Sequence, residues 1–467
     1  MKCKLLAIIM LAAVFILVGC TSNVKTKNNS TFNTDSLCDE SFTFNDFADD
    51  SIDYQYDDIQ YDIYEEQDSV DVELIPVYLN KKWGYINKNG QTVIEPQFDM
   101  AYKFAGNGLA AVSIDNKFGY IDQTGQFVIK PKFKKAGAFF NGLAMVLVKG
   151  KWGYINSKGK FVIKPQFDGA RGFAGKNIVR VKKNGLYGCI NRKGQYVFVP
   201  QFDEISDFAA DGLVRIKSGN KWGYVNQTGI IIAPQFNETT DFAENGLAVV
   251  REKNRFGYIN RTGNYVIPLA FNNAFNFTKN GLAAAKKKKK WGFIDQTGFF
   301  VIEPEFDDAE SFAENGLAAV CSNGKYGFID ATGHFCITPR FDYAYGFNKF
   351  GLAKIRVNDK YGYIDSTGYF IVNPEFDFIN SFAENGLAII RQDDKYGFIN
   401  KVGDIVVEPK YDYTVNFENG LAAVFLNDKW GFIDETGKMV IDLKYDWVGI
   451  YRNTEACPDE IQMTKNW

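Results

Sequence analysis

An aspartate returns at nearly regular spacing along this chain: Asp99, Asp168, Asp203, Asp307, Asp342, Asp377, Asp412 and Asp446, each just after a Pro-x-Phe run or a close variant of it. Stacked carboxylates, one per unit, could hold Ca²⁺. Lys134, Asn237 and Asn272 interrupt the row, however, and Asp also forms turns by bonding its own backbone, so the row reads first as a set of turns. The single histidine, His334, directly follows Gly333 and reads as a surface turn residue. With one histidine, neither a repeated His metal site nor a repeated Ser-His-Asp site can be built. Lys286, Lys287, Lys288, Lys289 and Lys290 stand in a row before Trp291. They read as a solvated hairpin tip, or alternatively as a contact for an anionic polymer or headgroups. The glycines are spaced singly rather than clustered before a helix, so no phosphate loop is present. These residues point to no catalytic group, no metal and no cofactor.

Cysteine chemistry is equally sparse. Apart from Cys3 and Cys20, the chain has Cys38, Cys189, Cys321, Cys336 and Cys457, an odd number without shared spacing, unlike a disulfide framework. Cys189 and Cys336 occupy positions that hold Tyr, Phe or Val elsewhere and read as small buried residues. Cys321 and Cys336 are expected on strands flanking a third, roughly 9–10 Å apart and beyond bridging distance.

The elements that carry these residues are copies of one unit. An aromatic-Gly pair recurs eleven times, at Trp83-Gly84, Phe118-Gly119, Trp152-Gly153, Tyr187-Gly188, Trp222-Gly223, Phe256-Gly257, Trp291-Gly292, Tyr326-Gly327, Tyr361-Gly362, Tyr396-Gly397 and Trp430-Gly431. Successive glycines are 34 or 35 residues apart, the mark of a repeat architecture. In the copy starting at Lys151, Trp152 to Ile155 is a short aromatic β run. Asn156-Ser157-Lys158-Gly159 has the pattern of a type I turn ending in a left-handed residue, which closes a hairpin. Phe161-Val162-Ile163 is a second strand, and Pro165, having no N–H, should end its pairing. An Asn-Gly-Leu-Ala run then opens a third strand in most copies, as at Leu317 to Val320. Each unit thus reads as three short antiparallel strands and an irregular corner, with the aromatics as core filler.

This combination resembles the WG-repeat, or KWG-repeat, family of bacterial proteins. The resemblance rests on the aromatic-Gly-Tyr/Phe-Ile-Asp/Asn run, the turn glycine, Val-Ile-x-Pro-x-Phe-Asp and Asn-Gly-Leu-Ala, over roughly residues 81–446. It implies a β-rich array, often envelope-associated, with no established general activity. Asn177-Ile178-Val179 replaces Gly-Leu-Ala, Pro268 sits one place early, and Leu443 replaces the last proline, which suits a terminal capping repeat.

Before the repeats the texture differs. Residues 1–19 have Lys2 and Lys4 and then an apolar run from Leu5 to Val18, the pattern of a secretion signal and short for a membrane span. Leu17-Val18-Gly19-Cys20 resembles the lipobox of bacterial lipoproteins, which implies cleavage before Cys20 and acylation of its thiol, palmitate included. Residues 20–72 contain no glycine, and no Lys or Arg lies between Lys27 and Lys81, so this stretch reads as an acidic low-complexity tether. Residues 1–80 hold 4 lysines and 15 acids in a chain of net charge −3, which leaves the repeats mildly basic. A lipid-anchored, extracytoplasmic place on the bacterial cell envelope follows as an expectation, with nucleic acid an improbable partner.

The expected architecture is all-β: a WG-repeat domain over 73–446 and a C-terminal cap or tail over 447–467. Eleven units of about 35 residues suit an elongated, superhelical β-solenoid, with a closed or tandem propeller-like ring as the alternative. The expected role is non-enzymatic: an interaction scaffold for protein or peptide partners, or else a carbohydrate or cell-wall polymer binder using aromatic and basic surface residues. Solvent exposure of the aromatics in the aromatic-Gly pairs would separate the two.

Overall fold

The structure is a computed structural model that describes residues 74–449 except 174–176, 207, 210, 211, 227 and 228. Its described residues form eleven four-stranded antiparallel sheets. The third shows the pattern: strands Lys135–Phe140, Leu143–Val148, Lys151–Asn156 and Phe161–Phe167, in that spatial order. The sheets are numbered here as blades 1 to 11 and their strands as first to fourth. Three strands per unit were legible in the sequence. The other is a pairing at the "irregular corner", often only two residues long, such as Asp308–Ala309 against Cys321 and Val320.

The proline does not end its strand. Trp152 pairs with Phe167 and Tyr154 with Ile163, so Gly153 alone faces Lys164, Pro165 and Gln166. This is a bulge, and the bulged backbone lies directly over the glycine. A Cβ on Gly153 would sit 2.6 Å from the Pro165 nitrogen and 2.7 Å from the Ile163 carbonyl oxygen. The turn glycine has the other reason: Gly159 has φ +72°, as the turn pattern requires.

Blades pack through aromatic and aliphatic side chains on their facing sides. Leu143, Met145, Trp152 and Tyr154 of blade 3 share a cluster with Val179, Val181 and Ile190 of blade 4. Buried tyrosines also bolt one blade to the next. The Tyr154 hydroxyl donates to the Arg171 carbonyl at 2.7 Å, and Tyr85, Tyr120 and Tyr258 donate alike to Tyr102, Gly137 and Phe275, each at 2.7 Å. Cys189 takes this position in blade 4 and is fully buried, as expected.

An open array of eleven blades has ten interfaces; this one has eleven. Val77, Ile86 and Val448 of blade 1 pack with Ala423, Trp430 and Phe432 of blade 11, in the same kind of cluster as everywhere else. Blade 1 is completed by Trp447–Val448 from the far end of the chain, which pairs with Tyr78 and Val77 of Ile75–Leu79. The elongated solenoid is therefore corrected to the alternative, a closed eleven-bladed β-propeller. Leu443 accordingly belongs to an ordinary blade rather than a cap, and residues 447 and 448 are strand, not tail. The local strand pattern serves both architectures. The deciding feature is that the last repeat lends its strand to the first.

Candidate interaction surfaces

The recurring aspartates sit where consecutive blades meet. Asp99 lies between blades 1 and 2. One carboxylate oxygen accepts from Lys82 Nζ of blade 1 at 2.6 Å; the other accepts from the Asp115 backbone amide of blade 2 at 2.7 Å. Asp115 belongs to the turn joining the second and third strands, here termed the tip. The arrangement repeats around the ring. Asp168, Asp307, Asp342, Asp377 and Asp412 pair with Lys151, Lys290, Lys325, Lys360 and Lys395, and accept from the tip amides of Asn184, Asn323, Asn358, Asp393 and Asn427. At the closing seam Asp446 pairs with Lys429 at 2.6 Å and accepts from the Asn80 amide at 3.2 Å. Asn237 and Asn272 do the same work without charge, accepting from the amides of Lys253 and Lys288. Asp203 accepts from the Gly219 amide at 2.6 Å. The row is thus a set of inter-blade clasps. The lysine bonds, first of all, hold the Asp99, Asp168, Asp307, Asp342 and Asp377 carboxyls below the usual carboxylate range.

The tips form one face of the ring. Lys286–Lys290 make the tip of blade 7, between strands Ala283–Lys287 and Lys290–Ile294, as the sequence suggested. Lys286 lies over the Trp291 ring at 5.5 Å, Lys287 over Phe300 at 5.6 Å, and Lys290 pairs with Asp307. Lys288 and Lys289 are exposed.

At the far end of the same strands lie the turns that end in glycine and the loops before each second strand. In the turns, a side chain bonds backbone as the sequence implied: Asp295 accepts from the amides of Thr297 at 2.9 Å and Phe299 at 3.1 Å. The residue after the turn glycine varies between blades. In blades 7, 8 and 9 it is Phe299, His334 and Tyr369, three exposed rings in succession; Phe299 is 75% and Tyr369 71% exposed. His334 Nδ1 lies 2.7 Å from the Thr332 hydroxyl. Sequence reading placed His334 on a surface turn but missed this run, which shows only when repeats are aligned on their turn glycines. Among the loops of blades 6 to 8 opens a groove of about 790 Å³, lined in part by Phe242, Asn245, Lys279 and Glu314. Lys279 and Glu314 pair across it at 3.0 Å.

The aromatics of the aromatic-Gly pairs are structural. Trp83, Phe118, Trp152, Phe256, Trp291, Tyr326 and Trp430 are buried; Tyr187, Trp222, Tyr361 and Tyr396 are half-buried. They offer little open ring face to a sugar. Cys321 is buried as well, but Cys336 is exposed, contrary to expectation, because its position on the fourth strand points outward. Asp308 and Glu310 stand close in blade 8. Tyr326 donates to Asp308 Oδ2 at 2.7 Å, and burial, then the Asp308 charge, pushes the Glu310 carboxyl up. Among the described residues, no group of three or more His, Cys, Asp or Glu is placed to hold a metal ion, and no helix is long and apolar enough to cross a membrane. Cys20, the signal segment and the whole of the tether lie outside the described residues.

The family described as "WG containing repeat" matches eleven times, over residues 83–118, 118–152, 152–187, 187–222, 222–255, 256–291, 291–326, 326–361, 361–396, 396–430 and 430–453. No curated protein sequence matches the chain. Among solved structures, similarity is found to a eukaryotic initiation factor, with 12% identity over 64% of this chain and 95% of that one (TM-score 0.34). Hsv2p of Kluyveromyces lactis aligns with 9% identity over 48% and 89% (TM-score 0.32). Dihydro-heme d1 dehydrogenase NirN in complex with DHE aligns with 13% identity over 82% and 75% (TM-score 0.30).

Proposed function

Because this chain belongs to the WG-containing repeat family and closes into a ring of eleven blades, we propose that it is a non-enzymatic interaction scaffold for protein or peptide partners, held on the bacterial cell envelope by a lipid on Cys20. The observation that carries this reading is a division of labour within each repeat. The recurring residues are consumed by the frame: the aromatic-Gly pair in packing, the aspartate in the clasp, the proline in the bulge. Tips and turns vary from blade to blade on that rigid support and stay exposed, the usual way a scaffold carries binding residues. The acidic stretch before the ring supports a spacer between anchor and scaffold.

The test is in-cell crosslinking of the full-length chain followed by identification of its partners. A discrete set of proteins, retained in high salt, is the expected result. Their absence would overturn the reading.

One observation favours the alternative partner, a carbohydrate or wall polymer: the successive exposed rings of Phe299, His334 and Tyr369. Rings of this kind can stack on sugars and anchor interfaces. In the same preparation, a Phe299→Ala/Tyr369→Ala chain should then lose retention on whole-wall polysaccharide while keeping its crosslinked proteins.

A further inference from the structure

Ten of the eleven junctions contain their own acceptor, an Asp or Asn side chain that takes the tip amide of the next blade. The junction between blades 2 and 3 does not. There Lys134 occupies the aspartate's place in the repeat, Lys117 the place of the pairing lysine, and Lys149 that of the tip amide. The backbone is the same as elsewhere: the Lys134 amide donates to the Leu147 carbonyl at 3.0 Å, as Asp168 does to Lys182 at 2.8 Å. All three lysines are exposed. A lysine in this position can only donate, so the junction presents two ammonium groups and a tip amide facing no carboxylate of its own.

The surroundings reinforce this. Residues 130–202, essentially blades 3 and 4, hold sixteen Lys and Arg and one acid, Asp168. That acid is already committed to Lys151 and the Asn184 amide.

We propose that this junction is the docking point for a side-chain carboxylate of an acidic peptide partner, which completes the clasp in trans. The inference rests on the scaffold reading and names the chemistry of its partner. The other junctions say why the group is a carboxylate. The same constellation at Asp99 holds one with 2.6 Å to the ammonium and 2.7 Å to the amide. Charge-assisted contacts of this kind are the stronger class of hydrogen bond. Lys132, exposed two positions before Lys134, suits an acidic stretch rather than a single residue, and the surrounding positive field steers it in.

The experiment is fluorescence anisotropy of a labelled Asp/Glu-rich peptide on the full-length chain, with inorganic polyphosphate and phosphatidylglycerol vesicles as separate arms. Lys134→Asp restores the chain's own carboxylate. It should weaken peptide binding by roughly tenfold or more while leaving the melting temperature equal or higher. Lys158→Gln/Lys193→Gln removes two charges from the turns on the opposite face and should change binding by less than about threefold. Equal losses in the two variants, an unaffected K134D chain, or binding of the phosphate probes without the peptide would each overturn the proposal. Crosslinking distinguishes the readings. If wild type and K134D capture the same proteins, the scaffold stands and this inference falls; if neither captures a protein and the peptide does not bind, both fall.

Discussion

Gly153 and Gly159 stand six positions apart in one repeat and are glycine for unrelated reasons. Gly159 has positive φ, and its turn pattern announces that need in the sequence. Gly153 has ordinary φ; its constraint is the bulged backbone of Ile163 and Pro165 pressed against its Cα. Gly153→Ala should therefore destabilise the chain by about 1–3 kcal/mol, since the obstruction is backbone and cannot rotate away. Gly150→Ala, at a tip where an added methyl meets no atom within 4 Å, isolates the cost of positive φ alone. Thermal melts of both variants decide this. A harmless Gly153→Ala would mean that the fourth strand can shift outward. The recurrence of the aromatic-Gly pair was plain in the sequence, but its cause was not, because the contact is across strands and through a bulge that no local pattern encodes.

Between elements, the clasp is the unit of organisation, and it too was half legible. The Asp row and the lysines before the aromatic-Gly pairs are visible as repeats. That these aspartates, Asp203 with Leu186 behind it excepted, each serve the lysine behind and the tip ahead depends on how blades stack. The two-residue first strands stayed hidden because two residues are too few to show a period of 2. The clasps have a pH consequence. At Asp99, Asp168, Asp307, Asp342 and Asp377 the carboxyl pKa is lowered, first of all by the lysine bond, so their stabilisation is present above the ordinary carboxylate range. It is lost as pH falls through that range and below it. Unfolding temperature should fall between about pH 6 and about pH 3, by a few degrees overall because the pairs are largely exposed and screened. Asp377→Asn keeps the acceptor for the Asp393 amide, as Asn237 does naturally for Lys253, but removes one titration. Its melting curve should lie slightly below wild type at neutral pH and converge with it in acid. Parallel curves at all pH values would exclude Asp377 as a contributor.

At the scale of the molecule, two properties emerge that no single repeat contains. One is the uneven charge: residues 130–202 are nearly all basic among their ionisable groups, whereas 307–446 hold 22 acids against 13 Lys and Arg. The ring therefore has a basic arc and an acidic arc, and partners of opposite charge should meet different blades. The other is closure. The seam between blades 11 and 1 is built like its neighbours, with its own cluster, its own clasp at Asp446 and the edge-to-face contact of Trp430 with Trp447 at 5.4 Å. It differs in one respect: the strand Trp447–Val448 joins blade 1 by hydrogen bonds and packing, without a short covalent link. Lys103 of blade 2 and Glu418 of blade 11 also pair at 2.5 Å, spanning the region of the seam. A chain ending at Asp446 keeps all eleven aromatic-Gly pairs but loses that strand. Hydrogen exchange should then quicken first in Ile75–Leu79, whose outer partner is gone, while the equivalent second strands of blades 5 to 8 keep their protection. A solenoid would fray at both ends in the intact chain and barely notice the truncation. A ring should be protected all round when intact and open from one seam when cut, and uniform exchange before and after truncation would contradict closure by this strand.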